Sequence, residues 1–143
     1  MSPVAGGAFL HTDLNPHNLL LAADGRVHVV DWTSASRGAA WVEIGQVVPW
    51  LIRAGHGPAE AERWAEQFPS WAGADPGDPA AIDLYVQLSA ERWGRYSAAH
   101  PTSHVPAYLA VARQWAAYRN GHHGDRPGEA PGEDDALGRS ELE

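Results

Sequence analysis

Leu10-His11-Thr12-Asp13-Leu14-Asn15-Pro16-His17-Asn18-Leu19-Leu20-Leu21, answered by Val27-His28-Val29-Val30-Asp31-Trp32, is the stretch on which the reading of this chain turns. Two short apolar runs are joined by Ala23-Asp24-Gly25, and Asp-Gly between such runs is a strong short-range hairpin signal. Closing that hairpin brings Asn18 and Asp31, at the outer ends of its strands, towards one point. Asp13 lies beside them in a loop kept tight by Pro16.

One carboxylate and one amide carbonyl are hard oxygen donors, the kind that magnesium takes together with water and phosphate oxygens. A further carboxylate that leaves the metal alone can accept the proton of an attacking hydroxyl. The pattern His-x-Asp-x-x-x-x-Asn, followed by a strand ending in Asp, is the catalytic and metal-binding half of the kinase signature set. His11 to Asn18 with Val30-Asp31-Trp32 resembles the aminoglycoside phosphotransferase and choline kinase-like branch of the protein-kinase-like fold. That resemblance implies Asp13 as catalytic base, Asn18 and Asp31 as magnesium ligands, and magnesium with ATP or GTP as cofactors. Asp31 is followed by Trp32-Thr33, as that branch often has, and not by the Phe-Gly of protein kinases. Thr12 stands where phosphotransferases usually carry Gly and protein kinases Arg.

Three residues support the loop in this reading. His11 can be a base or a ligand, but its ring is better read as packed and hydrogen-bonded beneath the loop. Asn15, two positions after the base, can hydrogen-bond but cannot neutralise charge. Glu43 has two readings of equal weight: a brace for the catalytic loop, as an Asp near this position is in related phosphotransferases, or an acid well placed in a helix first turn. His17 and His28 read as surface or strand-face residues.

The chain has 143 residues, one domain's worth, and no cysteine, so neither disulfides nor thiolate metal sites are available. Met1 to Phe9 lacks the features of a signal peptide, and no run approaches the roughly 20 apolar residues of a membrane span. The expectation is a cytoplasmic protein with no membrane partner, and the Ala, Gly, Arg and Trp bias suggests a bacterial gene. The net charge of −8 is uneven, since residues 121–143 hold seven acids and two arginines. No basic stripe appears, which argues against nucleic acid as a partner.

Every basic residue is an arginine; the chain has no lysine. A complete kinase fold positions nucleotide phosphates with a strand-borne lysine, paired to a helix glutamate, beneath a glycine-rich loop. Ala5-Gly6-Gly7-Ala8 is too short for that loop. The expectation is therefore a carboxy-terminal lobe with its amino-terminal lobe absent, completed by a separate polypeptide or partner subunit, or a fragment, or a remnant that no longer turns over.

Beyond the hairpin, Thr33 to Ala40 reads as a short small-residue loop. Ile44, Val47, Val48 and Leu51 carry the stripe of a packed helix over residues 41–54, which Pro49 should kink or split. Gly57-Pro58 opens a second helix that Pro69 stops, with a loop from Ser70 to Gly77. Asp78 caps and Pro79 begins the longest helix, to about Ala99, with Ile82, Tyr85, Val86, Ser89, Trp93 and Tyr96 on its buried face, extended by Leu84 and Leu88. Trp93 and Tyr96 can line a substrate pocket, though core packing is the safer reading. Pro106 opens a last helix with Tyr108, Ala112, Trp115 and Ala116 inward, and Asn120-Gly121 stops it.

The sequence thus predicts a mainly α fold with a small β-hairpin, similar to the carboxy-terminal lobe of a protein-kinase-like fold. Residues 1–120 form that lobe, with the catalytic loop and hairpin at 8–34 and a helical bundle at 41–120; residues 121–143 form a disordered acidic Gly/Pro-rich tail. By resemblance the reaction is transfer of a nucleoside triphosphate γ-phosphate to a hydroxyl of a small, aminoglycoside-like molecule. Two alternatives stand beside it. A non-catalytic, pseudokinase-like lobe would act as a binding module, with an exposed apolar face near residues 8–32. A metal-dependent hydrolase would use His11, Asp13, His17 and Asp31.

Overall fold

The computed structural model describes residues 4–72, 78–101 and 105–122. The apolar runs form the expected hairpin: β2 (Leu19–Leu21) pairs antiparallel with β3 (Val27–Val29), Leu19 opposite Val29 and Leu21 opposite Val27. Its tip closes through Gly25 N–H to Ala22 O at 3.0 Å and Ala22 N–H to Arg26 O at 2.8 Å, and Gly25 has φ of +83°. Only glycine takes that conformation without strain, which is why Asp-Gly marks the turn.

A second two-stranded sheet was not expected. β1 (Ala8–Leu10) pairs antiparallel with β4 (Ser36–Gly38), with Leu10 opposite Ser36. Thr33 to Ala40, predicted as a loop, instead holds a 3₁₀ turn at Trp32–Ser34 followed by this strand. β1 needs main-chain partners, and Gly38 lets a strand approach it: a Cβ there would lie 2.7 Å from the Leu10 Cδ1 atom.

The helices follow as α1 (Trp41–Arg53), α2 (Pro58–Ala65), α3 (Pro69–Ala72), α4 (Pro79–Ala99) and α5 (Val105–His122). The fold is mainly α with two small antiparallel strand pairs. α1 runs through Pro49 as one helix rather than splitting there. The lost hydrogen bond and ring clash cost about 3 kcal/mol in a helix interior, and burial of Val48, Pro49 and Ile52 against the other helices offsets it. Pro69 both stops the second helix and opens the short α3, so Ser70 and Trp71 are helical rather than loop. α4 begins as predicted, with the Asp78 carboxylate accepting the Ala80 N–H at 3.0 Å. α5 continues to His122, past the expected stop at Asn120-Gly121. The predicted tail falls almost wholly outside the described residues.

The core sits among the helices. Val48, Ala65, Val86, Val105 and Trp115 are essentially sealed from solvent, and Trp71 stands between Trp41 and Trp115 with ring centroids 6.4 Å from each. Truncating a tryptophan so placed costs about 3–5 kcal/mol. α4 is less central than its sequence suggests. Ile82 and Val86 are buried, but Leu84, Leu88 and Tyr96 are 44%, 50% and 46% exposed. A group of three charged residues ties α4 to its neighbours instead. Arg119 on α5 donates to both Glu62 carboxylate oxygens at 2.9 Å and through Nε to Asp83, while the Trp115 indole N–H also donates to Glu62 at 2.6 Å. Ion pairs this far from water hold only when each partner is hydrogen-bonded, as here.

Candidate functional site

The site is a loop held between a hairpin and one helix. His11 is buried, and its ring is fixed at both nitrogens: Nε2–H donates to Val30 O at 2.8 Å, and Nδ1 accepts the Asp13 main-chain N–H at 3.3 Å. Those partners require the neutral tautomer protonated on Nε2. The Trp32 ring packs edge-on against this imidazole at 4.8 Å and stacks on Phe9 at 5.6 Å. His11 is thus packed and hydrogen-bonded beneath the loop.

The loop bends through Thr12, whose φ of +63° is rare for a β-branched residue. Three bonds hold it there. Glu43 on α1 accepts the main-chain N–H groups of both His11 and Thr12, and the Thr12 hydroxyl donates to Ser34 O at 2.5 Å. Gln46, one helical turn beyond Glu43, accepts the Leu14 N–H at 3.1 Å. Glu43, in the first turn of α1, thus bonds the loop's main chain to that helix. Gln46 was missed, although its spacing of three from Glu43 puts it on the same helix face.

Asp13, Asn15 and Asn18 are brought together. The Asn15 amide N–H₂ donates to Asp13 O at 2.9 Å and Oδ1 at 3.0 Å, and its own oxygen accepts the His17 N–H at 2.9 Å. Asn18, buried at the end of a 3₁₀ turn, donates to Asp13 O at 2.8 Å and Oδ2 at 3.1 Å. Both carboxylate oxygens of Asp13 thus accept a neutral amide proton while the side chain stays exposed to solvent. The Asn18 amide turns its nitrogen to Asp13, so its carbonyl oxygen is the end directed away from that acid.

Asp31 stands just past the hairpin, where Val30 N–H donates to Asn18 O at 2.9 Å. It adopts φ of +59° and ψ of 64°, and its exposed carboxylate accepts the Thr33 hydroxyl through Oδ1 at 2.7 Å. A non-glycine residue in this left-handed conformation costs on the order of 1–2 kcal/mol, a strain that aims the side chain off the strand. An amide carbonyl and a carboxylate of this kind are hard oxygen donors that suit magnesium. His17 and His28 are exposed, and the His17 ring faces Trp50 at 6.4 Å. The imidazoles therefore do not converge with Asp31, and among the described residues no three His, Asp or Glu side chains form a metal-binding group. The hydrolase alternative loses its geometric basis.

The family model described as the phosphotransferase enzyme family matches residues 6–85, more than half of the chain and the whole of this site. The chain belongs to that family. No curated protein and no solved structure matches it. The family match agrees with the aminoglycoside phosphotransferase-like motif of residues 11–31.

The helices add aromatic groups to the family's loop. Tyr108 on α5 is within electrostatic range of Asp13: burial pushes its phenol above the usual range, and Tyr85 and the Asp13 carboxylate push it further. Burial raises Tyr85 to about 12, with Arg92 opposing the shift and Glu43 adding to it. A cleft of about 450 Å³ lies elsewhere, between α1 and α2 beside Leu51, His56 and Trp64, and holds none of the loop residues. Phe9, Leu20, Leu21 and Val27 are 67%, 55%, 75% and 62% exposed, with Leu21 opposite Val27 on the hairpin and Phe9 stacked on Trp32. Among the described residues no helix is long and apolar enough to cross a membrane.

Proposed function

We propose that residues 1–120 act as the carboxy-terminal, catalytic lobe of a kinase-like phosphotransferase, moving the γ-phosphoryl group of ATP or GTP to a hydroxyl of a small molecule. Asp13 accepts the acceptor's hydroxyl proton while that oxygen bonds to phosphorus; the bridging P–O bond breaks and its electron pair leaves on the nucleoside diphosphate. Asn15 and Asn18 hold the Asp13 carboxylate in one orientation without adding charge. Asn18, through its carbonyl oxygen, and Asp31 would hold magnesium, which supplies neutralisation of phosphate charge when bound.

The observation that carries this reading is the double anchoring of the loop. Asp13 is fixed at its carboxylate by two amides, and at its main chain by His11, on a loop that Glu43 clamps to α1. Positioning of this kind is what phosphoryl transfer asks of a protein, because there is little covalent chemistry for it to perform. The absence of lysine means that cationic contacts to the phosphates come from arginine or from polypeptide beyond these residues.

A second reading, a non-catalytic lobe that docks on another polypeptide, is supported by the exposed apolar side chains of Phe9, Leu20, Leu21, Val27 and Trp32 within residues 8–32. Calorimetric titration of ATP with and without magnesium separates the two. Magnesium-dependent binding at micromolar affinity, lost in Asp31→Asn, supports catalysis. No binding up to millimolar ATP, with Asp13→Asn leaving all measurable behaviour intact, favours the docking lobe.

A further inference from the structure

A continuous row of rings runs outward from the catalytic loop and plays no part in the chemistry above. His17 stands edge-on to Trp50 at 6.4 Å, Trp50 meets Tyr108 at 5.2 Å, and Tyr108 meets Trp93 at 4.3 Å. The row continues from Trp93 to Tyr96 at 5.6 Å and ends with Tyr96 stacked on His100 at 4.3 Å. It starts at His17, on the loop that carries Asp13, where the His17 main-chain N–H donates to Asn15. Trp50, Trp93 and Tyr108 are half-buried, while His17, Tyr96 and His100 are exposed. The rings therefore form a wall open to solvent on one side and backed by α1, α4 and α5 on the other. Trp93, Tyr96 and Tyr108 lie beyond the stretch that the family model matches, so the shared loop does not dictate them.

The charges around the wall decide what it holds. Aromatic faces attract cations when free, but the Arg53 guanidinium already lies over the Trp50 ring at 5.5 Å. Arg92 is close enough to Tyr85 to favour its ionised form. The acids on α1 and α4 are committed elsewhere: Glu43 to the loop main chain, Asp83 to Arg119, and Glu91 to Arg95 at 3.7 Å. Along the helices a polycation would meet arginines and, among the described residues of α1, α4 and α5, no unpaired carboxylate; Asp13 and Asp31 stand on the loop at one end of the row. An uncharged ring system would gain burial and offset stacking against the wall.

Resting on the phosphotransfer reading of Asp13, we infer that the acceptor is an uncharged hydroxyl compound with an aromatic or apolar body, held along the Trp50–Tyr108–Trp93–Tyr96 row, and is not a polyamine. Its hydroxyl reaches Asp13 while its body lies on the rings. The test is calorimetric titration of the full chain, without nucleotide, with 1-naphthyl β-D-glucopyranoside, glucose, kanamycin and tetramethylammonium. The naphthyl glucoside binds at least about fivefold more tightly than the other three. Trp93→Ala and Tyr96→Ala each weaken it by at least about fivefold, the scale of one lost aromatic contact. Tyr96 is already exposed, so its variant keeps the test open if Trp93→Ala fails to fold. Tighter binding of kanamycin or tetramethylammonium, no binding of the naphthyl glucoside, or ring variants that bind within fivefold of the parent would overturn the inference. Because nucleotide is left out, failure here is distinct from failure of ATP capture by Asn18 and Asp31.

Discussion

Replacing Glu43 by Gln tests whether the catalytic loop is held by α1 through charge. The Glu43 carboxylate accepts two main-chain N–H groups, those of His11 and Thr12. Charge-assisted bonds of this kind are worth about 1.5–3 kcal/mol each, and partial exposure puts these at the lower end. The amide retains one acceptor oxygen, but its N–H₂ faces the second main-chain N–H. One bond becomes neutral and the other becomes a repulsive contact, a loss of about 2 kcal/mol. For a domain of this size that corresponds to a fall in Tm of roughly 6–10 °C. Urea unfolding followed by tryptophan fluorescence measures the loss, and amide hydrogen exchange localises it to His11 and Thr12. A change under about 0.5 kcal/mol with unchanged protection at those two amides would refute the reasoning, since it would mean that water serves them as well as Glu43 does.

Three further outcomes are expected. Thr12 combines a left-handed backbone with a hydroxyl bond to Ser34 O; Thr12→Gly trades about 1–2 kcal/mol of relieved strain against that bond and is near neutral in urea unfolding, whereas Thr12→Ala keeps the strain and costs about 1 kcal/mol. Arg119→Ala leaves Glu62 and Asp83 as partly uncompensated buried acids and costs about 3–5 kcal/mol, with a smaller loss when Glu62 is changed to Gln in the same chain. Tyr85, raised to about 12, and Tyr108, also raised, bind their protons more tightly when folded than the usual phenol near 10. The native state then holds more protons than the unfolded state above that unfolded value, so their contribution to stability is complete below about pH 10 and falls as pH rises through the folded values. Alkaline titration at 295 nm should show this delayed ionisation, and Tyr85→Phe with Tyr108→Phe should abolish it; absorbance rising fully near pH 10 in the folded chain would contradict it.

The site was legible where sequence spacing alone fixes geometry. His11, Asp13, Asn15 and Asn18 lie within eight residues, and an Asp-Gly turn returns Asp31 to them, so local chain stiffness determines most of the arrangement. The α4 cap at Asp78 was legible for the same reason. What the sequence did not disclose depends on contacts between distant segments. Pairing of β1 with β4 leaves no periodic signal in three-residue strands, and Ser36-Arg37-Gly38 has low strand propensity. Continuity of α1 through Pro49 is decided by packing, which overrides propensity. Trp93 and Tyr96 fit a helical apolar stripe, yet no periodicity says whether another element covers that stripe. α5 lies against one part of it and leaves Tyr96 to solvent.

The pairing of Leu10 with Ser36 has a topological consequence. His11 to Ala35 forms a closed excursion that begins and ends at one residue pair and contains every proposed ligand and base. Lengthening the chain at its tip, Ala23-Asp24-Gly25, alters only the entropy of an already closed loop, about 0.6 kcal/mol for each doubling of loop length. A single residue added within β1 or β4 acts differently, because it slips the register and turns side chains to the opposite face at the neck of the excursion. Insertions are therefore tolerated at the tip, and the two three-residue strands set the length of everything between them.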